Sequence, residues 1–198
     1  MQLVVDWDGT VTVRDSLLMV VREFGDATIA PRLDAALAEG RMTHREVMEA
    51  EFATVRAPLQ DVVSFVVANA EVRAGFRELC ERFDPLILSS SFHETIEPVL
   101  ARERVSARVK ANRAEPSPTG WRIRWESDSD CATCGEPCKR GSLPAGPLVY
   151  VGDGYSDRCA ALAAGRVFAR AGLAEYLDAE GVAYEPFETL LDVAAALT

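Results

Sequence analysis

Two aspartates stand two residues apart in Asp6-Trp7-Asp8-Gly9-Thr10, directly after the apolar run Leu3-Val4-Val5. Such a β-branched run with a glycine close behind it reads as a buried strand. Both carboxylates then lie where the strand ends, and the turn lets them reach one crevice. In open α/β sheets, ligands bind outside the carboxyl ends of the strands. Paired carboxylates there suit a hard cation such as Mg²⁺, held by one or two carboxylates together with phosphate. The plainer reading is an Asp-Gly turn whose side chains serve turn geometry. A second apolar run, Leu86-Ile87-Leu88, ends in Ser89-Ser90-Ser91. Serine hydroxyls beside the amides of a following helix make an anion site, with ordinary N-capping as the alternative. A third run, residues 147–151, ends in Gly152-Asp153-Gly154-Tyr155-Ser156-Asp157. Here again a strand delivers an aspartate between glycines, which let the backbone turn sharply against a ligand.

The elements between these runs must bring them together. Asp15 caps a helix over residues 16–24 that stops at Gly25, and another helix covers 30–38. Thr43-His44-Arg45-Glu46 is a capping box that opens a helix to about residue 56. Helices over 59–68 and 72–83 follow, then a strand over 85–89 and a helix over 94–102. Residues 106–110 and 120–127 alternate polar and apolar and read as an antiparallel hairpin around Pro116-Ser117-Pro118-Thr119-Gly120. The remaining pattern is strand 147–151, helix 156–164, strand 167–169, helix 173–180, edge strand 182–184 and helix 190–197. Strand–helix alternation of this kind predicts an α/β fold: a Rossmann-like parallel sheet with helices on both faces. One helix suffices for a crossover. The helical excess over 15–69 is therefore expected to be an insertion beside the first strand end, with residues 1–14 and 70–198 forming the core domain. The alternative is that these helices thicken one layer of the core.

Composition narrows the partners. A chain of 198 residues that is 48% hydrophobic and 26% charged buries a core as one domain, or as one domain with a sizeable insertion. A formal net charge of −10 argues against nucleic acid and against an anionic membrane surface. It is compatible with a phosphorylated metabolite, because a bound cation inverts the local charge. No charged-then-apolar leader pattern opens the chain and no apolar stretch is long enough to span a bilayer. The odd count of five cysteines then favours a reducing cytoplasm over a disulfide framework. The expected assembly is a monomer or homodimer.

These motifs resemble those of the haloacid dehalogenase superfamily of phosphatases. Asp6-Trp7-Asp8-Gly9-Thr10-Val11-Thr12 resembles its DxDGT[VI]T motif, and Leu86-Ile87-Leu88-Ser89 its second, apolar motif ending in Ser or Thr. Lys139 has the position of the third, and Gly152-Asp153-Gly154-Tyr155-Ser156-Asp157 resembles the fourth, GDGxxD. The resemblance makes the 15–69 insertion a type-I cap. Within the superfamily the phosphoserine phosphatase-like branch fits best, although Ser90 and Ser91 replace both glycines of its SGGF. The C-terminal pattern, including Val-Phe-Ala-Arg and Gly181-Val-Ala-Tyr-Glu-Pro-Phe187, is similar to the 2-hydroxy-3-keto-5-methylthiopentenyl-1-phosphate phosphatases of methionine salvage. The segment from Cys131 to Lys139 also resembles phosphoethanolamine/phosphocholine phosphatases, so the motifs leave the substrate open.

The resemblance implies a role for each matched residue. Asp6 would be the nucleophile and Asp8 the general acid and base. Mg²⁺ would bind Asp6, the Asp8 backbone carbonyl and Asp153, with Asp157 joining that set or orienting Lys139. Ser89 and Lys139 would hold and neutralise the phosphate, and Thr10, Ser90 and Ser91 would touch substrate. The implied activity is Mg²⁺-dependent hydrolysis of a small phosphorylated metabolite through an aspartyl-phosphate. The competing class is a non-catalytic phosphate-binding module on the same fold.

Other candidates have plainer readings. Cys131, Cys134 and Cys138 precede Lys139, and tetrahedral zinc would need a fourth ligand, Cys159 or His93, from afar. Packing of these thiols as small apolar groups is the favoured expectation, with zinc and a disulfide as alternatives. His44 reads as a solvated helix residue, and Arg45, Glu49 and Arg56 as a charged solvent face. His93 stands next to the phosphate loop, where a substrate contact is open.

Overall fold

The computed structural model describes residues 2–198. Its strands are β1 (Gln2–Val5), β2 (Leu86–Phe92), β3 (Arg108–Glu115), β4 (Arg122–Arg124), β5 (Leu148–Gly152), β6 (Arg166–Ala169) and β7 (Glu185–Pro186). They form one seven-stranded sheet in the order β4-β3-β2-β1-β5-β6-β7. Every neighbouring pair is parallel except β3 and β4, which form the antiparallel hairpin. The helices are α1 (Ser16–Phe24), α2 (Ala30–Ala38), α3 (His44–Phe52), α4 (Leu59–Asn69), α5 (Phe76–Phe83), α6 (His93–Glu103), α7 (Arg158–Ala161), α8 (Ala171–Glu180) and α9 (Leu190–Ala196). The expected parallel sheet with helices on both faces is therefore present.

Strand alternation explains why these runs are apolar throughout. Leu3, Val5, Ile87, Val149 and Val151 face a core closed by α4, α5, α6 and α9. Val4, Leu86, Leu88, Leu148 and Tyr150 face a second core closed by α7 and α8. A central parallel strand is buried on both faces and so needs apolar side chains at successive positions. β1 lies between β2 and β5, so the three strands that end in candidate chemistry are neighbours.

The helices α1 to α4 leave and rejoin the sheet through one narrow stem. Thr12 and Val72 form an antiparallel bridge, Val13 N–H donates to the Glu71 carbonyl (2.9 Å), and Arg73 N–H donates to the Val11 carbonyl (2.8 Å). This stem explains why α5 begins at Phe76 and not at residue 72: residues 72 and 73 are occupied by the stem, and Gly75 follows at φ +91°. α4 rests on α6 and shares its core, so the insertion is joined to the sheet layer as well as projecting past it.

Other boundaries differ from expectation for identifiable reasons. α3 ends at Phe52 because the Trp121 N–H takes the carbonyls of Phe52 and Val55, both at 3.0 Å. β3 starts later and runs on to Glu115, because 108–110 pair with β2 while 113–115 pair with β4. The helix expected over 156–164 is a 3₁₀ turn at Tyr155–Asp157 followed by the short α7. The edge strand is Glu185–Pro186, past the 182–184 expected. Among the described residues no helix is long and apolar enough to cross a membrane.

Candidate active site

Asp6 is the first residue past β1. Its N–H donates to the Val151 carbonyl (2.9 Å), which extends the β1–β5 ladder and holds the side chain at the strand end, 3% exposed. The chain then makes one wide turn, closed by the Thr12 N–H on the Trp7 carbonyl (2.8 Å). Gly9 sits in that turn at φ +76°, and a Cβ there would overlap the Asp153 carboxylate, so only glycine lets the two strand ends approach. Buried Arg73 pins the same turn, donating to the carbonyls of Gly9 (2.7 Å) and Thr10 (2.8 Å).

Lys139 reaches this strand end from the 3₁₀ turn Lys139–Ser142. Its ammonium bonds Asp6 and donates to Asp157 Oδ1 at 2.7 Å, with both partners buried. Asp157 also accepts from the Tyr150 hydroxyl (2.7 Å) and from the N–H groups of Asp153 and Gly154 (both 3.0 Å). These donors fill the acceptor sites of its two oxygens. Of the two roles expected for Asp157, this geometry favours orienting Lys139. A Cβ at Gly152 would lie 2.6 Å from Asp157 Oδ2, which accounts for the first glycine of that motif. Burial alone would lower the Lys139 pKa, but the charges of Asp157 and Asp6 outweigh it and hold the ammonium protonated.

Asp8 differs from Asp6 in surroundings. It is partly buried, and its Oδ1 accepts from the backbone N–H of Ser16 (2.7 Å) and from the Ser16 hydroxyl at the start of α1. Burial and then the nearby Asp15 charge raise its carboxyl to about 7, against the opposing pull of the Ser16 bonds. A carboxyl poised near neutrality can both give and take a proton. Asp6 is raised by burial and by Asp157, with Lys139 opposing. Asp153 is raised to about 6 by burial and then by Asp157, with Thr10 opposing.

Carboxylate oxygens of Asp6, Asp153 and Asp157 lie within 4.8 Å of one another, with Lys139 as the cation among them. Two buried carboxylates and the partly buried Asp153 against one ammonium leave negative charge in excess. The donors are hard oxygens, and burial and then the Asp157 charge raise the carboxyls of Asp6 and Asp153. The set fits Mg²⁺.

The serines divide. Ser89 is buried and accepts from the Ser91 N–H at 2.9 Å, while Ser90 borders the site. Ser91 is fully buried against Thr95 (3.4 Å), and Thr10 donates its hydroxyl to Asp153 Oδ1 (2.8 Å). Neither lines the two cavities at the site: the Thr10 hydroxyl is engaged by Asp153 and the Ser91 hydroxyl faces Thr95. Thr10 instead fixes the Asp153 carboxylate, and Ser91 faces inward in the stretch of β2 where the pairing with β3 shifts register, between Leu88 and Phe92.

Residues 3–162 match the haloacid dehalogenase-like hydrolase family. The chain belongs to this family. A 2-hydroxy-3-keto-5-methylthiopentenyl-1-phosphate phosphatase from Geobacillus kaustophilus is 30% identical, over 97% of this chain and 93% of its own length. Another so named, from Exiguobacterium, is 26% identical over 98% of this chain and 95% of its own. Among solved structures, a phospho-aspartyl intermediate analogue of phosphoserine phosphatase superposes with a TM-score of 0.74 at 15% identity, covering 98% of this chain and 97% of that one. This haloacid dehalogenase-like hydrolase is a phosphatase, a phosphoric monoester hydrolase.

Two cavities meet at Lys139, His44, Ser90 and Tyr155 of the hydrolase. One, of about 280 Å³, is acidic and is bordered by Asp6, Asp8, Asp15, Glu51, Asp153 and Asp157. The other, of about 250 Å³, runs between Leu88, Asn112, Trp125, Tyr155 and Tyr176. His44, read from sequence as solvated, stacks on Tyr155 (5.9 Å between centroids, 21°). Burial, and then Lys139, lowers its pKa to about 4, so the ring is neutral. Arg45 lies over Trp125 (4.4 Å) and bonds Asp128 (3.0 Å), and Trp125 Nε1–H donates to Glu49 (3.0 Å). Only Arg56 of that expected solvent face is left to solvent alone. His93 pairs with Glu97 (2.8 Å) and borders neither cavity. Arg73, Tyr150 and Asn112, whose Nδ2 donates to the Ser90 carbonyl (2.6 Å), carried no motif. The one sequence signal was a tyrosine inside the otherwise apolar strand Leu148–Gly152; Asn112 lies in a strand rich in charged residues and gave none.

Proposed function

We propose that the enzyme hydrolyses its phosphomonoester through an aspartyl-phosphate on Asp6, uses Mg²⁺, and acts on 2-hydroxy-3-keto-5-methylthiopentenyl 1-phosphate. The observation that carries the chemistry is a lysine-neutralised carboxylate, Asp6, beside a second carboxyl, Asp8, poised near pH 7. Asp6 attacks phosphorus in line; an Asp6 O–P bond forms as the P–O bond to the alcohol breaks. Asp8 protonates the departing oxygen, and its carboxylate then takes a proton from the water that cleaves the acyl phosphate. Phosphate leaves and both aspartates return to their starting states. Ser89, with the Ser90 amide, holds phosphate oxygens, and Lys139 neutralises them, kept in place by Asp157. Bound by Asp6, Asp153 and the Asp8 carbonyl, Mg²⁺ would supply the positive charge that offsets repulsion between anionic nucleophile and anionic substrate.

Two observations support the substrate. The curated relatives carry this activity in their names, at up to 30% identity along nearly the whole chain. The cavity beside Lys139 has aromatic walls at Trp125, Tyr155 and Tyr176, which suit a thioether tail. Residues 15–69 act as the cap in this reading, since α1, α2 and α3 border the acidic cavity. The five unbridged thiols are in keeping with a cytoplasmic enzyme.

Phosphate release with Mg²⁺ would be measured on this substrate, phosphoserine, phosphoethanolamine and phosphocholine. The methylthiopentenyl ester is expected to have the highest kcat/KM. A preference for phosphoserine would overturn the substrate while leaving the mechanism standing.

A further inference from the structure

Four cysteines converge at a place the phosphatase chemistry does not use. Cys131, Cys134 and Cys138 lie in the irregular segment between β4 and β5, and Cys159 projects from α7. Their four sulfurs all lie within 4.8 Å of one another. Tetrahedral zinc with Zn–S bonds of about 2.3 Å sets sulfurs about 3.8 Å apart, so closing around an ion needs a shift of roughly an ångström.

The backbone is shaped for such a site. Asp130 and Pro137 form a bridge, the Cys131 N–H donates to the Glu136 carbonyl (2.9 Å), and the Gly135 N–H donates to the Cys131 carbonyl (2.8 Å). Gly135 takes φ +77°, which folds the loop tightly and brings Cys131 and Cys134 side by side. The Thr133 N–H points at Cys131 Sγ (3.4 Å), the kind of contact that favours a thiolate and orients it as a ligand.

Apolar packing, favoured from the sequence, fits poorly here. Cys131 is buried, but Cys138 and Cys159 are only partly so and Cys134 is exposed. No pair is bridged as a disulfide. Four soft donors with no open position describe a structural centre, distinct in ligand type from the carboxylate site.

We propose that Cys131, Cys134, Cys138 and Cys159 bind one structural Zn²⁺ as thiolates, clamping the Lys139 loop to α7. Each coordinated thiol gives up its proton to solvent as the Zn–S bond forms. The clamp grips both ends of the Lys139–Asp157 pair, because Cys138 adjoins Lys139 and Cys159 lies two residues beyond Asp157. Zinc loss would therefore loosen the loop carrying the phosphate-neutralising charge.

The test is made on the full chain, purified reduced and without chelator. Elemental analysis is expected to find one zinc per chain. Adding Co²⁺ to demetallated protein should give the intense visible and thiolate charge-transfer bands of a tetrahedral sulfur site, which an oxygen site does not produce. Cys159→Ser should bind at least tenfold more weakly, and Cys80→Ser, in α5, should bind as wild type. Cys134→His should keep the metal through its imidazole, which supports the site even where Cys159→Ser fails to fold. Asp153→Ala should retain zinc, separating this centre from the carboxylate site. Reduced wild-type protein without zinc and without cobalt–thiolate bands would overturn the proposal. So would zinc retained at full affinity by folded Cys159→Ser, or a disulfide that consumes two of the four thiols.

Discussion

The floor and the wall of this cleft are built by different means. Asp6 stands just past β1, Ser89 lies within the neighbouring β2 and Asp157 in the turn that follows β5, and Lys139 is drawn onto the two aspartates by charge. Each is buried and bonded to its neighbours. The wall is set by stacking: His44 on Tyr155, Arg45 over Trp125, and Arg158 over Tyr155 and Tyr176 at 4.4 and 4.5 Å. Those side chains come from the insertion, the hairpin and the segments after β5. A bonded charge network has one low-energy arrangement, whereas stacked aromatics tolerate repacking. The floor is thus suited to one reaction and the wall to changes of substrate.

Substitutions can break that division or sharpen it. The largest effect is expected for Asp6→Asn, which keeps the shape and removes the nucleophilic charge. Phosphate release should fall by roughly 10³-fold or more, with the thermal unfolding midpoint little changed. Residual turnover near wild type would mean that the floor does not carry the chemistry.

Asp157→Asn should be next. Lys139 would keep Asp6 but lose the anchor that aims it, and a small misplacement of such a group costs about 10²-fold in kcat. The conservative Lys139→Arg is not expected to restore this network, because a planar guanidinium does not occupy the space of a buried point charge.

Trp125→Ala tests the wall. It should raise KM for the proposed alkylthio substrate by up to about tenfold, with kcat nearly unchanged. Activity on a small phosphomonoester without a tail should be unaffected. Equal losses on both would show that wall and floor are one unit.

The smallest effect is a shift along the pH axis. In the proposed mechanism Asp8 holds its proton to release the alcohol, so kcat/KM should decline as pH rises through about 7. Ser16 hydrogen bonds favour the Asp8 carboxylate, and Ser16→Ala removes one of them. The descending limb should then move to higher pH by roughly 0.7 of a unit, the equivalent of a hydrogen bond of about 1 kcal/mol. A move to lower pH would contradict the assignment of that limb to Asp8.

Much of this was legible in the sequence because its physics is local. An apolar run ending in Asp-x-Asp-Gly, Ser or Gly-Asp-Gly states both a buried strand and a polar strand end, within a few residues. Helix caps are equally local: Asp15 accepts from the Leu18 N–H (2.8 Å), and Thr43 and Glu46 form the capping box. Strand–helix alternation then dictates the parallel sheet that sets Asp6, Ser89 and Asp153 along one edge.

Tertiary structure decided what depends on neighbours distant in the chain. Thr10 and Ser91 lie inside motifs, yet their hydroxyls turn to Asp153 and Thr95, because Thr10 follows the turn after β1 and Ser91 sits where β2 shifts register against β3. His44 is polar and stands in a helix cap, which reads as solvated until Tyr155 closes over it. Arg73 carries no pattern at all and becomes the brace of the Asp6 turn only through the stem that returns the insertion to the sheet. Cys159 is, from the sequence, one of two distant alternatives for a fourth ligand, the other being His93. Only the packing of α7 against the Lys139 loop makes it the fourth sulfur beside Cys131, Cys134 and Cys138, because ligand sets are fixed by proximity in space and spacing along the chain records only part of it.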